Sequence, residues 1–353
     1  MRVLVTGGAG YVGSHTVKAL CEFGHEPIIV DNQTTCKDTN FHEKIEVPLI
    51  KTCISNSKEI LQVIEGKHLK LKGTKHENKN VQAIIHFAAF SIVGESIEYP
   101  MMYYKNNVAN SISFLETLYK TNNSFKNNQN NLPFIFSSSC STYGLQNNLP
   151  ITENNLLQPI NPYAKSKYFV EEIIKDLSFA LKFKSVVLRY FNVAGASKDL
   201  LIGENRDHET HLIPLAIKTS LGLNDHLCIF GDDYDTPDGT CIRDYIHVCD
   251  VADAHVKVLD NICKKFELND EKFEAYNIGI GNGYSVKEVI NITEEISNNK
   301  IKTIITGRRL GDPPILVASP EKFKRKFDWE PKNKKLESII KDSFNWQKSL
   351  YKI

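Results

Sequence analysis

The amino-acid sequence predicts a doubly wound α/β protein: a parallel sheet in the first half, then a smaller mixed α/β domain. Two observations carry the sheet. Short β-branched runs alternate with longer helical patterns, the signature of βαβ units, and a glycine cluster stands where the first run meets the first helical pattern. The third observation is length. At roughly 100–200 residues per domain, a chain of 353 residues favours two domains sharing a cleft.

Taken in order, residues 2–6 read as a first strand, 13–23 as a helix, 27–30 as a strand and 57–64 as a helix. Residues 83–87 follow as a strand, 107–119 as a helix and 134–138 as a strand. A helix is expected over 162–181 and a further buried strand over 186–191. From Asn192 the pattern turns irregular, with loops rich in Gly, Asp and Pro at 231–239, 279–283 and 311–314 between helices near 214–221, 248–264 and 286–297. The expected division is a nucleotide-binding domain over 1–191 and a mostly ligand-binding domain over 192–353, with later segments free to return to the first. Two stretches read as surface insertions: 67–80, dense in Lys, and 122–131, where six of ten residues are Asn. Neither is expected to bury enough apolar surface to order itself.

Lys plus Arg (43) against Asp plus Glu (42) leaves a formal charge of +1. That is no surplus with which to hold a phosphate backbone or an anionic membrane, so neither nucleic acid nor membrane is an expected partner. No apolar run approaches the roughly 20 residues of a membrane span, and the opening apolar stretch is broken by glycine too early for a signal-peptide core. Eight cysteines lie scattered with no C-x-x-C pair. They fit reduced thiols in the cytoplasm and suggest no metal site.

Gly8-Ala9-Gly10-Tyr11-Val12-Gly13 is a G-x-G-x-x-G sequence between a strand and a helix, the context of a Rossmann-type dinucleotide site. Gly7 and Gly8 permit the tight turn, Gly10 lets a pyrophosphate approach the backbone, and Gly13 lets helix and strand pack closely. The helix N-terminus then favours the negative charge. Asp31, eighteen residues after Gly13, stands where a carboxylate accepts from a ribose diol, and Asn32 and Gln33 offer no cation for a 2′-phosphate. NAD is therefore expected rather than NADP. Tyr163 and Lys167, at i and i+4, share a helix face. The strand ending in Ser137-Ser138-Ser139 brings hydroxyls to the same carboxyl edge of the sheet.

Eight blocks in order now carry a resemblance: 5–15 (VTGGAGYVGSH), 86–89 (HFAA), 93–96 (VGES), 136–139 (FSSS), 162–167 (PYAKSK), 188–192 (LRYFN), 238–240 (DGT) and 243–248 (RDYIHV). Over nearly its whole length the chain resembles the extended short-chain dehydrogenase/reductases, and among them the UDP-glucose 4-epimerase (UDP-galactose 4-epimerase) family. The resemblance implies that Tyr163 removes the C4 hydroxyl proton while hydride leaves C4, with Lys167 and a positive nicotinamide ring favouring the phenolate. It implies that Ser139 bonds the same sugar oxygen and relays its proton. Cofactor contacts would come from Gly7, Gly10, Tyr11, Val12, Gly13, Asp31 and Asn32, from Phe87, Ala88, Ala89 and Asn106, and from Ser137, Tyr163, Lys167 and Tyr190. The UDP-sugar would be gripped by Asn192, His211, Leu212, Phe230, Arg243, Arg309 and Asp312, with Ser139 and Tyr163 on its sugar. A homodimer formed through residues 100–119 and the helix bearing Tyr163 is implied as well.

Departures from the family pattern are specific. Thr52-Cys53-Ile54 stands where an acidic triplet commonly reads adenine, and Ser91 where some members carry a lysine near the cofactor. Leu316 occupies the gate beside the sugar C2 group, and its intermediate size predicts some turnover of UDP-GlcNAc and UDP-GalNAc. The rival 4,6-dehydratases use a Thr-Asp-Glu triplet, for which this chain has Ser139-Cys140-Ser141 and no acid, so dehydration is disfavoured. UDP-uronate epimerases and decarboxylases keep the same catalytic pair and stay open as alternatives. A non-catalytic NAD-binding regulator is the alternative outside enzymes.

Overall fold

A computed structural model describes residues 1–35, 40–124, 132–181, 184–264, 272–309 and 311–353. Seven strands build the main sheet: β1 (Arg2–Thr6), β2 (Glu26–Asp31), β3 (Leu49–Lys51), β4 (Ala83–His86), β5 (Phe134–Ser139), β6 (Ser185–Tyr190) and β7 (Phe273–Ile278). All neighbours run parallel, in the order 7-6-5-4-1-2-3. The strand order reverses between β1 and β4, and such a switch point opens a crevice at the carboxyl ends of the strands.

A parallel sheet is covered on both faces, so its strands are apolar on both. Val3, Val5, Ile29, Ile85 and Leu188 pack on one side against α1 (Tyr11–Glu22). Leu4, Ile28, Ile84, Phe134 and Val187 pack on the other against α2 (Ser57–Ile64), α3 (Asn110–Ser124) and α4 (Pro162–Leu181). The remaining longer helices are α5 (Leu212–Ser220), α6 (Val248–Lys264), α7 (Val286–Ser297) and α8 (Leu336–Tyr351). Both β7 and α6 come from beyond residue 191 yet belong to this core: Tyr276 and Ile278 join its α1 face, and so do Val251 and Val258.

The rest of the second part is built from short ladders. Asn192–Ala194 pairs with Tyr245–His247, and Leu227–Phe230 pairs with Thr303–Thr306. Ile242–Arg243 lies between Tyr284–Ser285 and Ile315–Leu316. Helices α5, α7 and α8 share a core of Ile213, Ile217, Val289, Ile339 and Ile340. A capping box starts α7: Ser285 Oγ accepts from Glu288 N at 3.1 Å, and Ser285 N donates to Glu288 Oε2 at 2.7 Å.

Two sequence expectations are corrected. The helix expected over 107–119 is wound as a π-helix over Tyr104–Ala109 before α3 begins. Asn107 holds the widened turn, its amide bonding Phe90 N at 2.8 Å, Phe90 O at 3.0 Å and Ser166 Oγ at 2.9 Å. The segment 67–80 is ordered after all. Leu71 is fully buried against Ile60, Val63 and Val81, and Asn78 N closes the segment on Gly66 O at 2.8 Å. Residues 125–131 of the Asn-rich stretch lie outside the described residues. No helix among the described residues is long and apolar enough to cross a membrane.

Candidate active site

A cavity of about 730 Å³ opens at the carboxyl ends of the strands. Its first wall begins with the glycine turn. Gly7 has φ +69° and donates its N–H to Val30 O at 2.8 Å, so the left-handed conformation falls on Gly7. A Cβ on Gly13 would lie 2.2 Å from Gly7 O, so only glycine lets α1 start against this turn. Gly10 is the N-cap of α1 with no side chain to accept from its first turn, and no acid stands there. The positive end of the helix therefore faces the cavity, which Gly7, Gly10, Tyr11, Val12 and Gly13 line.

Asp31 ends β2 on the same wall, beside Asn32. Its carboxylate accepts from Ala9 N at 3.0 Å and Gln33 N at 2.7 Å, while burial pushes its pKa upward. Phe87, Ala88, Ala89 and Asn106 continue the wall, and so do Thr52, Cys53 and Ile54. Cys53 Sγ accepts from Ser55 Oγ at 3.1 Å.

The chemical centre is built from β5, β6 and α4. Asn161 Oδ1 accepts from Ala164 N at 2.8 Å and so starts α4, placing Tyr163 in its first turn. Burial pushes the Tyr163 phenol well above its usual range and Tyr190 adds to this, while a hydrogen bond with Ser139 and the charge of Arg206 draw it back. Lys167 is buried one turn on, its Nζ donating to Ser137 O at 2.7 Å. Burial lowers its pKa to about 7 against the pull of Glu171. Desolvation drives both groups toward neutrality.

Ser139 closes β5, and its Oγ accepts from Ser141 N at 3.2 Å. Between them Cys140 is buried, its thiol pushed up to about 12. Ser137 differs from the other expected cofactor residues in lying behind the cavity wall, where its Oγ pairs with the Tyr190 hydroxyl. Behind the centre, Glu171 is held by Arg189 Nη2 at 2.6 Å and by Ser138 Oγ. Arg189 Nη1 donates to Tyr143 OH at 3.0 Å, which donates to Asn277 Oδ1 at 2.7 Å. This satisfied buried network ties α4, β5, β6 and β7 into one unit.

The facing wall carries Asn192, His211, Leu212, Phe230, Arg243, Arg309, Asp312 and Leu316. The Arg309 guanidinium lies 3.7 Å from the centroid of the Phe230 ring. Arg243 Nη1 donates to Ile242 O at 2.9 Å, and Nη2 is 3.7 Å from Asp312 Oδ1. Leu316 is buried opposite Arg243 in the ladder and packs with Cys140, Tyr143 and Phe191. His211 caps α5 and its Nδ1 bonds Glu204 Oε1 at 2.7 Å. Sequence reasoning missed Arg206 and Glu204 here. They sit in an irregular loop with no periodicity to mark them.

A phenol, an ammonium and a hydroxyl beside an open helix N-terminus, on a doubly wound sheet, are the framework of the short-chain dehydrogenase/reductases. The family model described as GDP-mannose 4,6 dehydratase matches residues 4–343. The UDP-glucose 4-epimerase of Halalkalibacterium halodurans is 38% identical over 354 residues, covering 99% of this chain and 96% of that protein. The structure of UDP-glucose 4-epimerase from Bifidobacterium longum in complex with NAD+ and UDP superposes with a TM-score of 0.87 at 34% identity, covering 99% of this chain and 98% of that one. The UDP-Glc/GlcNAc 4-epimerase of Campylobacter jejuni superposes with a TM-score of 0.78 at 37% identity, covering 99% of each chain. The chain belongs to the UDP-glucose 4-epimerase family within this superfamily.

Proposed function

We propose that this chain interconverts UDP-glucose and UDP-galactose by oxidising sugar C4 to a ketone and reducing it again from the opposite face. The observation that carries the reading is the meeting of Tyr163, Lys167 and Ser139 beside a dinucleotide cradle, with a separate arginine-bearing wall across the cleft. NAD fits the first wall: α1 presents an uncapped N-terminus, Gly7 and Gly13 leave no room for side chains, and Asp31 ends β2 at the cavity. Bound there, it would accept hydride from C4 and return it.

This chain's own residues handle the proton and the grip. Tyr163 takes the C4 hydroxyl proton, with Ser139 bonding the same oxygen. Its phenol is held high by burial, and positive charge brought beside it favours the phenolate, the direction in which Arg206 already acts. Lys167 fixes the cofactor side of the centre through its anchor on Ser137. Arg243 and Arg309 hold the diphosphate, Asp312 a ribose, and Phe230 and Leu212 the base, leaving the ketosugar free to turn.

The same reading includes a cytoplasmic homodimer. Its support is an apolar surface on the segment before and within α3 and on α4, where Met101 is 75% and Phe179 60% exposed and Ile112 and Phe169 are exposed as well. The intermediate size of Leu316 supports some turnover of acetylated sugars, and the Campylobacter jejuni relative is named for both kinds of sugar. Proton NMR of the purified protein with UDP-glucose, without added cofactor, tests the main reading: anomeric signals of both C4 epimers are expected. Silence even with NAD present would overturn it and turn attention to UDP-uronates. With UDP-GlcNAc in a second tube, Leu316→Tyr should lower acetylated relative to plain turnover by about tenfold, the order of one steric clash in a pocket.

A further inference from the structure

Among the described residues, four lysines and arginines line the cavity: Lys167, Arg206, Arg243 and Arg309. Three have been given work. Arg206 has not, although its side chain is anchored on a buried carboxylate. Its Nε donates to Glu204 Oε1 at 2.8 Å, and Glu204 is itself buried. Glu204 O accepts from Trp346 Nε1 at 2.8 Å and Gln347 Nε2 at 3.3 Å, while its carboxylate also takes His211 Nδ1 at 2.7 Å. The neighbouring Gly203 lies against Trp346, where a Cβ would come within 2.4 Å of the ring. One edge of the guanidinium is thus fixed to a rigid base.

The other edge points across the cleft. Arg206 Nη1 is 3.4 Å from Ser91 Oγ, in the loop after β4, and Nη2 has no hydrogen-bond partner among the described residues. Tyr11, in the first turn of α1, feels the Arg206 charge, and its hydroxyl is tied to Gly195 O at 2.6 Å. Arg206 therefore stands between the open N-terminus of α1 and the loop after β4. The N-terminus of α1 and the loop after β4 belong to the cofactor side of the cleft. Among the described lining residues the other cation near that side is Lys167, which gives one of its ammonium donors to Ser137 O. With Nε fixed on Glu204, Nη1 on Ser91 Oγ at 3.4 Å and Nη2 open, and with the Glu209 carboxylate also acting on it, the guanidinium still has donors suited to an oxyanion, and a dinucleotide diphosphate brings two negative charges to this place.

We infer that Arg206 is a cofactor-binding residue whose free guanidinium edge pairs with the diphosphate of NAD, facing the N-terminus of α1. The inference rests on the reading of the first wall as an NAD site. Glu204 is then a positioning residue, holding the guanidinium by its Nε.

The test compares wild type, Arg206→Ala, Arg206→Gln and the double variant Arg206→Ala with Ser91→Lys. Each is assayed for NAD retained through purification, for NAD affinity and, separately, for UDP affinity by titration calorimetry. Loss of one charge-assisted contact should weaken NAD binding by about tenfold to a hundredfold in both single variants, leave UDP within twofold, and make the remaining NAD affinity less salt-dependent. A lysine at 91 enters the same space and should restore most of the lost NAD affinity. Arg206→Gln keeps a donor for Glu204, so it serves where the alanine variant does not fold. NAD affinity within twofold of wild type in Arg206→Gln would overturn the inference. So would parallel loss of NAD and UDP affinity without rescue by Ser91→Lys, the mark of a merely structural residue. If wild type itself binds no NAD, the cofactor reading falls first, and the two failures are told apart.

Discussion

The two walls of the cleft are built by different means. The wall bearing Tyr163, Lys167, Ser139 and the glycine turn consists of strand ends and helix starts of a seven-stranded sheet, backed by the buried Glu171–Arg189 network. The wall bearing Phe230, Arg243, Arg309 and Asp312 consists of loops and ladders two to four residues long, its side chains leaning on one another. The contrast follows the chemistry. A proton transfer fails if its partners drift by an ångström, whereas a grip on a diphosphate works through charges that tolerate adjustment while the sugar turns.

The sharpest way to break this comparison is Tyr163→Phe. On the rigid wall it should lower kcat by about a thousandfold or more, in line with loss of a general base, and leave UDP affinity unchanged; a loss under tenfold would take the chemistry away from that wall. Arg243→Ala should do the reverse, raising KM by about tenfold to a hundredfold with kcat changed only a few-fold, because it removes binding common to ground and transition states. Initial rates across substrate concentration separate the two patterns.

Glycines sharpen the contrast in stability. Gly13→Ala drives a Cβ to 2.2 Å from Gly7 O, an overpacking that should cost about 1–3 kcal/mol or more. Gly307, on the loop of the other wall, has nothing within 4 Å of the same Cβ, so Gly307→Ala should be neutral within about 0.5 kcal/mol. Denaturant unfolding of both variants reads the difference directly.

A pH dependence probes how dry the rigid wall is. With Lys167 near 7 in the fold and about 10.4 when unfolded, the unfolded chain binds more protons between those values. The Lys167 contribution to stability therefore improves as pH rises through that window. In cofactor-free protein, the stability of wild type relative to Lys167→Met should rise between pH 7 and pH 9. A flat difference would mean that Lys167 is already solvated and that this wall is less dry than its burial implies.

What could be read in the sequence divides along the same line. Residues 2–6, 57–64, 162–181, 248–264 and 286–297 take the expected form with the expected ends, because apolar periodicity and local caps such as Ser285 act within a few residues. The short ladders escaped because two or three residues, as in Ile242–Arg243, acquire strand structure only from partners dozens of positions away. Leu71 shows the same limit, since one buried side chain orders a stretch whose composition reads as solvent-facing. At the site, all of the expected residues except Ser137 reach the cavity. Motif spacing could place Ser137 on the strand but not say that its hydroxyl turns to Tyr190. Arg206 had no motif, and its position depends on Trp346, 142 residues from the Glu204 carbonyl it binds.

The glycine turn, Asp31 and the strands around them leave the ribosome early, and β7 completes the sheet at residue 278. The loop carrying Arg206 gains its anchor only when α8 has been synthesised and Trp346 has docked. A nascent chain can thus offer the dinucleotide a cradle before it can close a hand over it. On the Arg206 inference, the last cofactor contact to be secured would be the one that waits for α8.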